Sequence, residues 1–297
     1  MGCGNYLPHE SEEPWPTKAY NNATFLNGSA SRLLRVQCEL LEPEQRFRQQ
    51  KVHNTIVFFG SARTLPPADA REALEAAEAA LAANANPEAS VTLEAALTQA
   101  RLREKTSAYY QHAVDLAREL TQWSLKHHAS SEQRFHICSG GGPGIMQAAN
   151  QGAQEAGGKS IGLGISLPFE QHSNPYISDE LDFEFHYFFV RKYWFLYPAK
   201  ALVIFPGGFG TMDELFEMMT LVQTGKIRKR MPTVLFGSEF WDNLIHWDTF
   251  LEWGMISEKD LELFRVMDDV GEARDWLTAQ IQETLDMNGP MIAPAVP

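Results

Sequence analysis

Ala201-Leu202-Val203-Ile204-Phe205-Pro206-Gly207-Gly208-Phe209-Gly210-Thr211-Met212-Asp213-Glu214 reads as a short apolar strand that runs through a proline-glycine turn into a helix. A wholly apolar strand of this length is one buried on both faces, as in a parallel sheet covered by helices. The design recurs upstream in Ile137-Cys138-Ser139-Gly140-Gly141-Gly142-Pro143-Gly144-Ile145-Met146. Further candidate strands fall at residues 55–59, 135–138, 160–167, 183–188 and 233–236, with longer helical patterns between them. This alternation predicts an α/β fold: a doubly wound, mainly parallel sheet with helices on both faces.

Both glycine clusters lie at carboxyl ends of predicted strands, the edge where open α/β sheets bind ligands. A glycine-led helix start offers unpaired amides and a positive dipole end to a phosphate. Thr211 and Glu214 also fit a Thr-x-x-Glu capping box, with the Thr211 hydroxyl at the helix start. Capping alone explains those two residues; it does not explain Pro206-Gly207-Gly208 ahead of them or a second glycine cluster on another strand. Better-known phosphate loops fit poorly. Ile145 and Asp213 stand where a dinucleotide fingerprint needs its third glycine, and Gly158-Lys159-Ser160 precedes a strand rather than a helix. Gly157 and Gly158 read instead as the C-terminal cap of the helix that starts near Pro143.

Working outward, 297 residues with 44% hydrophobic content bury a sizeable core. Residues 1–50 are expected to form a partly ordered N-terminal arm, amphipathic near Ser31 to Leu41; residues 51–297 are expected to form one domain. The alanine-rich stretch at about 66–104, interrupted at Asn84 to Pro87, reads as an inserted helical hairpin. A net charge of −13 opposes nucleic-acid binding, which requires a basic surface. No apolar run approaches bilayer length, and the first thirty residues lack the pattern of a secretory signal, so the expected location is cytoplasmic with no membrane partner. Cys3, Cys38 and Cys138 are too widely spaced for a metal or redox pair and are expected to be free thiols.

Taken together, the motifs resemble the LOG family, Rossmann-like phosphoribohydrolases once labelled lysine decarboxylases. Pro206 to Glu214 matches that family's Pro-Gly-Gly-x-Gly-Thr-x-x-Glu motif at every position; Phe59-Gly60-Ser61-Ala62-Arg63, the Gly140 to Met146 turn and Arg191-Lys192 follow in order. Phe188-Phe189-Val190-Arg191-Lys192 replaces the usual Met-His-x-Arg-Lys and is more similar to the longer bacterial members than to the plant cytokinin-activating ones. The resemblance implies hydrolysis of the N-glycosidic bond of a nucleoside 5′-monophosphate, AMP-like or a cytokinin riboside 5′-monophosphate, to free base and ribose 5-phosphate. It also implies a homodimer or larger homo-oligomer.

Breaking that bond passes through a ribosyl cation, so a carboxylate beside the anomeric carbon is the natural catalyst. The resemblance gives this role to Glu214, ahead of Asp213; Glu217 is an ordinary solvent-facing acid. Arg191 is the second catalytic residue, holding a ligand oxygen or assisting the leaving base. The 5′-phosphate is expected on Gly207, Gly208, Gly210 and Thr211, with Lys192 as a further phosphate ligand. Gly141, Gly142, Gly60 and Ser61 are expected to close around ribose or base. His172, Asn174 and Tyr176 mark a loop that is either a lid or merely well satisfied, and the alternation of Phe183, Phe185, Tyr187 and Phe189 suggests a buried strand or a dimer face. No metal site and no cofactor is expected; in particular, no segment offers a pyridoxal-binding lysine for a decarboxylase. The alternative is a non-catalytic carrier or sensor that binds a nucleotide or the molybdenum cofactor with similar turns; a scaffold that uses the alanine-rich insertion for partners is a third.

Overall fold

The computed structural model describes residues 16–84, 86–167 and 172–288. In chain order it comprises α1 (Ala23–Asn27), α2 (Arg32–Gln49), β1 (Asn54–Phe59), α3 (Pro67–Ala82), α4 (Pro87–His127), β2 (Phe135–Ser139), α5 (Ile145–Glu155) and β3 (Ser160–Ile165). There follow β4 (Asp182–Phe185), α6 (Phe188–Leu196), β5 (Ala199–Ile204), α7 (Phe209–Gln223), β6 (Thr233–Phe236), α8 (Ser238–Leu244), α9 (Trp247–Glu252), β7 (Arg265–Met267) and α10 (Val270–Asn288). The seven strands form one sheet in the order β4-β3-β2-β1-β5-β6-β7, and each neighbouring pair is parallel. The chain winds outward from β1 in one direction and from β5 in the other, so the fold is doubly wound and its switch point lies between β1 and β5.

Burial on both faces explains the continuous apolar strands. In β1, Ile56 and Phe58 join the core under α4, α5 and α10, while Val57 and Phe59 join the opposite core under α2, α6 and α7. Ala201 and Val203 of β5 divide from Leu202 and Ile204 in the same way. Helix α5 ends in a Schellman turn: Gly157 takes φ 76°, its N–H reaches the Gln154 carbonyl oxygen, and the Gly158 N–H reaches that of Ala153.

Three boundaries differ from the sequence reading. Helix α4 is continuous for 41 residues, about 60 Å at 1.5 Å per residue, so the second limb of the expected hairpin is the leading end of a core helix. Its later turns bury Ala113, Val114, Leu116, Ala117 and Leu120 against the sheet. The predicted strand at 183–188 stops at Phe185, because the next amides turn away from β3 to a carboxylate on α2; Phe188 and Phe189 begin α6 and are exposed. The alternation of Phe183, Phe185 and Tyr187 is buried as expected, whereas Phe189 has left the strand. Finally, β7 is three residues long and carried too little apolar pattern to be foreseen. No helix among the described residues is long and apolar enough to cross a membrane.

Candidate functional site

The turns after β1, β2 and β5 meet above the switch point. The Ser61 N–H donates to the Pro206 carbonyl oxygen at 3.0 Å, and the Ile145 N–H donates to that of Ser61 at 3.0 Å, which joins all three turns through backbone alone. Asn174 secures the Gly141–Gly142 segment: its Nδ2 donates to both carbonyl oxygens, at 3.0 and 3.1 Å, and to Asn150 Oδ1 at 2.9 Å. Asn174 is buried. It is therefore a structural tie for the glycine turn; residues 168–171 of the same loop lie outside the described residues.

These turns floor a cleft of about 680 Å³, within the usual range for small-molecule sites. Of the residues foreseen, Gly207, Gly208, Gly210 and Thr211 line one wall. Gly60, Ser61, Gly141 and Gly142 line the floor, and Arg191 and Glu214 stand at the back. Lys192 is placed elsewhere. Its ammonium pairs with Asp213 at 2.8 Å and Glu217 at 2.9 Å along the outer flank of α7 and is absent from the cleft lining.

Helix spacing explains this division. Asp213 and Glu217 are four residues apart and share the face that holds Lys192, with Asp213 also at the edge of the cleft; Thr211 and Glu214, three apart, share the face turned to the cleft. The capping box, however, does not form. Gly208 is the N-cap, in extended conformation with φ −94° and ψ −154°, and no side chain caps the helix. Thr211 consequently sits inside the first turn, buried, with its hydroxyl oxygen 2.1 Å from where a Cβ on Gly207 would stand. The first turn bond is donated by Met212 to the Gly208 carbonyl oxygen at 3.0 Å. The amides of Phe209, Gly210 and Thr211 precede it and have no partner within the helix, which leaves a helix start with open amides at the cleft wall.

Arg191 comes from α6. Its Nε donates to the Leu163 carbonyl oxygen at 2.6 Å, its plane lies 4.9 Å from the Phe195 ring centre, and Nη1 is 3.7 Å from Glu214 Oε1. Space for the guanidinium depends on Gly140, where a Cβ would fall 2.6 Å from Nη2 and 2.7 Å from Met146 Sδ. Both side chains are largely shielded, at 11% exposure for Arg191 and 16% for Glu214. Burial pushes the Glu214 carboxyl up to about 7; Arg191 pulls it back while the Asp213 charge adds to the rise. The Arg191 guanidinium is lowered by burial and supported by Glu214, and stays charged.

Sequence reasoning gave no role to two charged residues that line the cleft. Arg63 closes the Phe59-Gly60-Ser61-Ala62-Arg63 segment after β1; Glu184 lies near the end of β4, one oxygen accepting the Ser166 hydroxyl at 2.8 Å. The signal for Glu184 was its outward place between buried Phe183 and Phe185.

Residues 146–277 match the family model described as "Possible lysine decarboxylase". The matched segment contains Arg191 and the Pro206 to Glu214 turn, and the β1 and Gly140 turns precede it. Among solved structures, the X-ray structure of TM1055, a Northeast Structural Genomics Consortium target, aligns at 18% identity over 76% of this chain and 99% of that one, with a TM-score of 0.42. No curated protein matches the chain. Over residues 146–277 the chain is therefore similar to the family that carries the description of possible lysine decarboxylase.

Proposed function

We propose that the protein hydrolyses the N-glycosidic bond of nucleoside 5′-monophosphates. The observation that carries this reading is the position of Glu214: a shielded carboxylate, charge-paired with Arg191, on the helix whose open amides start the same cleft wall. A phosphate on those amides and the Thr211 hydroxyl brings the attached ribose towards Glu214. Binding phosphate alone needs the turn and has no use for a shielded acid beside the sugar.

In the reaction the bond from C1′ to the base nitrogen breaks with its electron pair leaving on the base. Positive charge grows on C1′ and the ring oxygen, and the Glu214 carboxylate stabilises it. Water adds to C1′, and Glu214, with a pKa of about 7, accepts the proton that water loses. That proton is passed on from Glu214 to the departing base nitrogen, which restores the carboxylate, so the products are free base and ribose 5-phosphate. Arg191, its Nε fixed on Leu163, favours the anionic form of Glu214 and presents its remaining N–H groups to a substrate oxygen. Each role uses this chain's own side chains.

By the same reading the protein assembles as a homodimer or larger homo-oligomer, supported by the exposed rings of Phe188 and Phe209 at the cleft and of Phe189 beside Phe188. Sedimentation equilibrium tests that part. The chemical test is incubation with AMP, GMP, CMP, UMP and an N6-substituted AMP, each beside its phosphate-free nucleoside. Base and ribose 5-phosphate in equal amounts from a monophosphate, with the nucleoside inert, is the expected result; binding without release from any of them moves the protein to the carrier or sensor reading.

A further inference from the structure

Helix α6 carries Arg191, yet its ends are finished by side chains from elsewhere. No residue of α6 caps its start. Instead Glu39, on α2, reaches across with both carboxylate oxygens: Oε1 accepts the His186 N–H at 2.9 Å and Oε2 the Tyr187 N–H at 3.2 Å. The backbone carbonyl oxygen of Glu39 also accepts the Trp194 indole N–H at 2.9 Å. At the other end the Lys229 ammonium donates to the Leu196 and Tyr197 carbonyl oxygens at 2.6 and 2.8 Å. A carboxylate at the amino end and an ammonium at the carboxyl end both complement the helix dipole.

The link from Glu39 to Arg191 is short. Tyr187, whose N–H is held by Glu39, is the residue whose carbonyl oxygen accepts the Arg191 N–H at 3.1 Å. The capped residue therefore closes the turn that presents the guanidinium. Beside it, Phe47 of α2 packs edge-on against Trp194 at 5.4 Å and Phe183 at 5.1 Å, and Arg46 Nη1 donates to the Asp182 carbonyl oxygen at 2.8 Å. The α2 helix thus grips both the strand before α6 and the helix itself.

We infer that Glu39 is a positioning residue for Arg191, so that α2, far in sequence from both Arg191 and Glu214, sets the geometry of the Arg191–Glu214 pair. The consequence for turnover rests on the functional reading above; the consequence for the guanidinium does not. Three properties follow. Loss of the Glu39 charge leaves the nucleotide-binding amides of α7 untouched. It loosens the first turn of α6. It lets Arg191 drift from Glu214, and a displacement of about 1 Å in such a pair lowers turnover by ten- to a hundredfold.

The test compares Glu39→Gln with Arg35→Ala in the full chain. Glutamine keeps the shape but has one acceptor oxygen for two N–H groups, while Arg35 lies on the same helix and, among the described residues, bonds to the Leu26 and Gly28 carbonyl oxygens at 2.6 and 2.7 Å. Two quantities are read beside Tm: kcat and KM on AMP, and solvent exchange of the Arg191 Nε–H by NMR, assigned through Arg191→Lys. Glu39→Gln is expected to lower kcat about tenfold or more with KM within about twofold, and to speed the exchange about tenfold. Arg35→Ala is expected to cost Tm and change neither. Unchanged exchange in Glu39→Gln, or equal losses in both variants in step with Tm, overturns the inference. Absence of base release by the wild type sinks the functional reading instead, and the exchange rate still decides the role of Glu39.

Discussion

Glu214 Oε1 and Arg191 Nη1 stand 3.7 Å apart in a shielded corner, joined from two different helices, α7 and α6. The separation is wider than a direct hydrogen bond, so each group keeps capacity for a ligand while the charges still act on each other. Burial wins over the guanidinium at Glu214, whose pKa rises to about 7 rather than falling.

Arg191→Met removes the group that pulls the Glu214 pKa down. The acid limb of kcat against pH is therefore expected to move upward, and kcat at neutral pH to fall by about a hundredfold or more, the scale for loss of one preorganised charge-stabilising donor. A pH profile with an unmoved acid limb would show that the two groups do not communicate.

Stability should carry the same signature. A carboxyl with a folded-state pKa near 7 and an ordinary value of 4.5 holds its proton longer in the folded chain. Its contribution is most favourable below pH 4.5, declines as pH rises from 4.5 to about 7, and is flat above. Glu214→Gln is thus expected to gain on the wild type by about 1–2 kcal/mol between pH 5 and pH 8, after allowance for the Arg191 charge left alone. Thermal denaturation at the two pH values checks it; a variant that loses ground at pH 8 contradicts the buried-acid account.

Two glycines of the turn are predicted to fail differently. A Cβ on Gly207 collides with the Thr211 side chain, whereas one on Gly208 meets nothing within 4 Å. Gly207→Ala is expected to cost about 1–3 kcal/mol of stability, as overpacking does. Gly208→Ala should fold normally and raise KM for AMP, because its methyl enters the space proposed for the phosphate. Equal KM values for Gly208→Ala and wild type would place the phosphate elsewhere.

Much of this arrangement was legible in the sequence, for identifiable reasons. The strands with two buried faces show as unbroken apolar runs, and the glycine clusters mark where backbone must approach something closely. What the sequence hid were contacts between distant segments. Glu39 looks like one more acid on an amphipathic helix, and only the fold brings it to the His186 and Tyr187 amides. Lys192 adjoins Arg191 in sequence, but neighbours on a helix point about 100° apart, and Asp213 and Glu217 claim it on the other side. Thr211 fitted a capping box by spacing, and the extended conformation of Gly208 placed it inside the first turn instead. The continuity of α4 was masked because its leading half buries little beyond its contact with α3, so its alanine pattern resembled an independent hairpin.

The most direct measurement is the rate of adenine release from saturating AMP by the wild type and by Glu214→Gln, with nucleotide affinity measured in parallel by calorimetry. The account predicts adenine and ribose 5-phosphate in equal amounts from the wild type, a loss of about a thousandfold or more in the variant, and a Kd changed only a few-fold. Equal rates in the two proteins, or a wild type that binds AMP and never releases adenine, would contradict it.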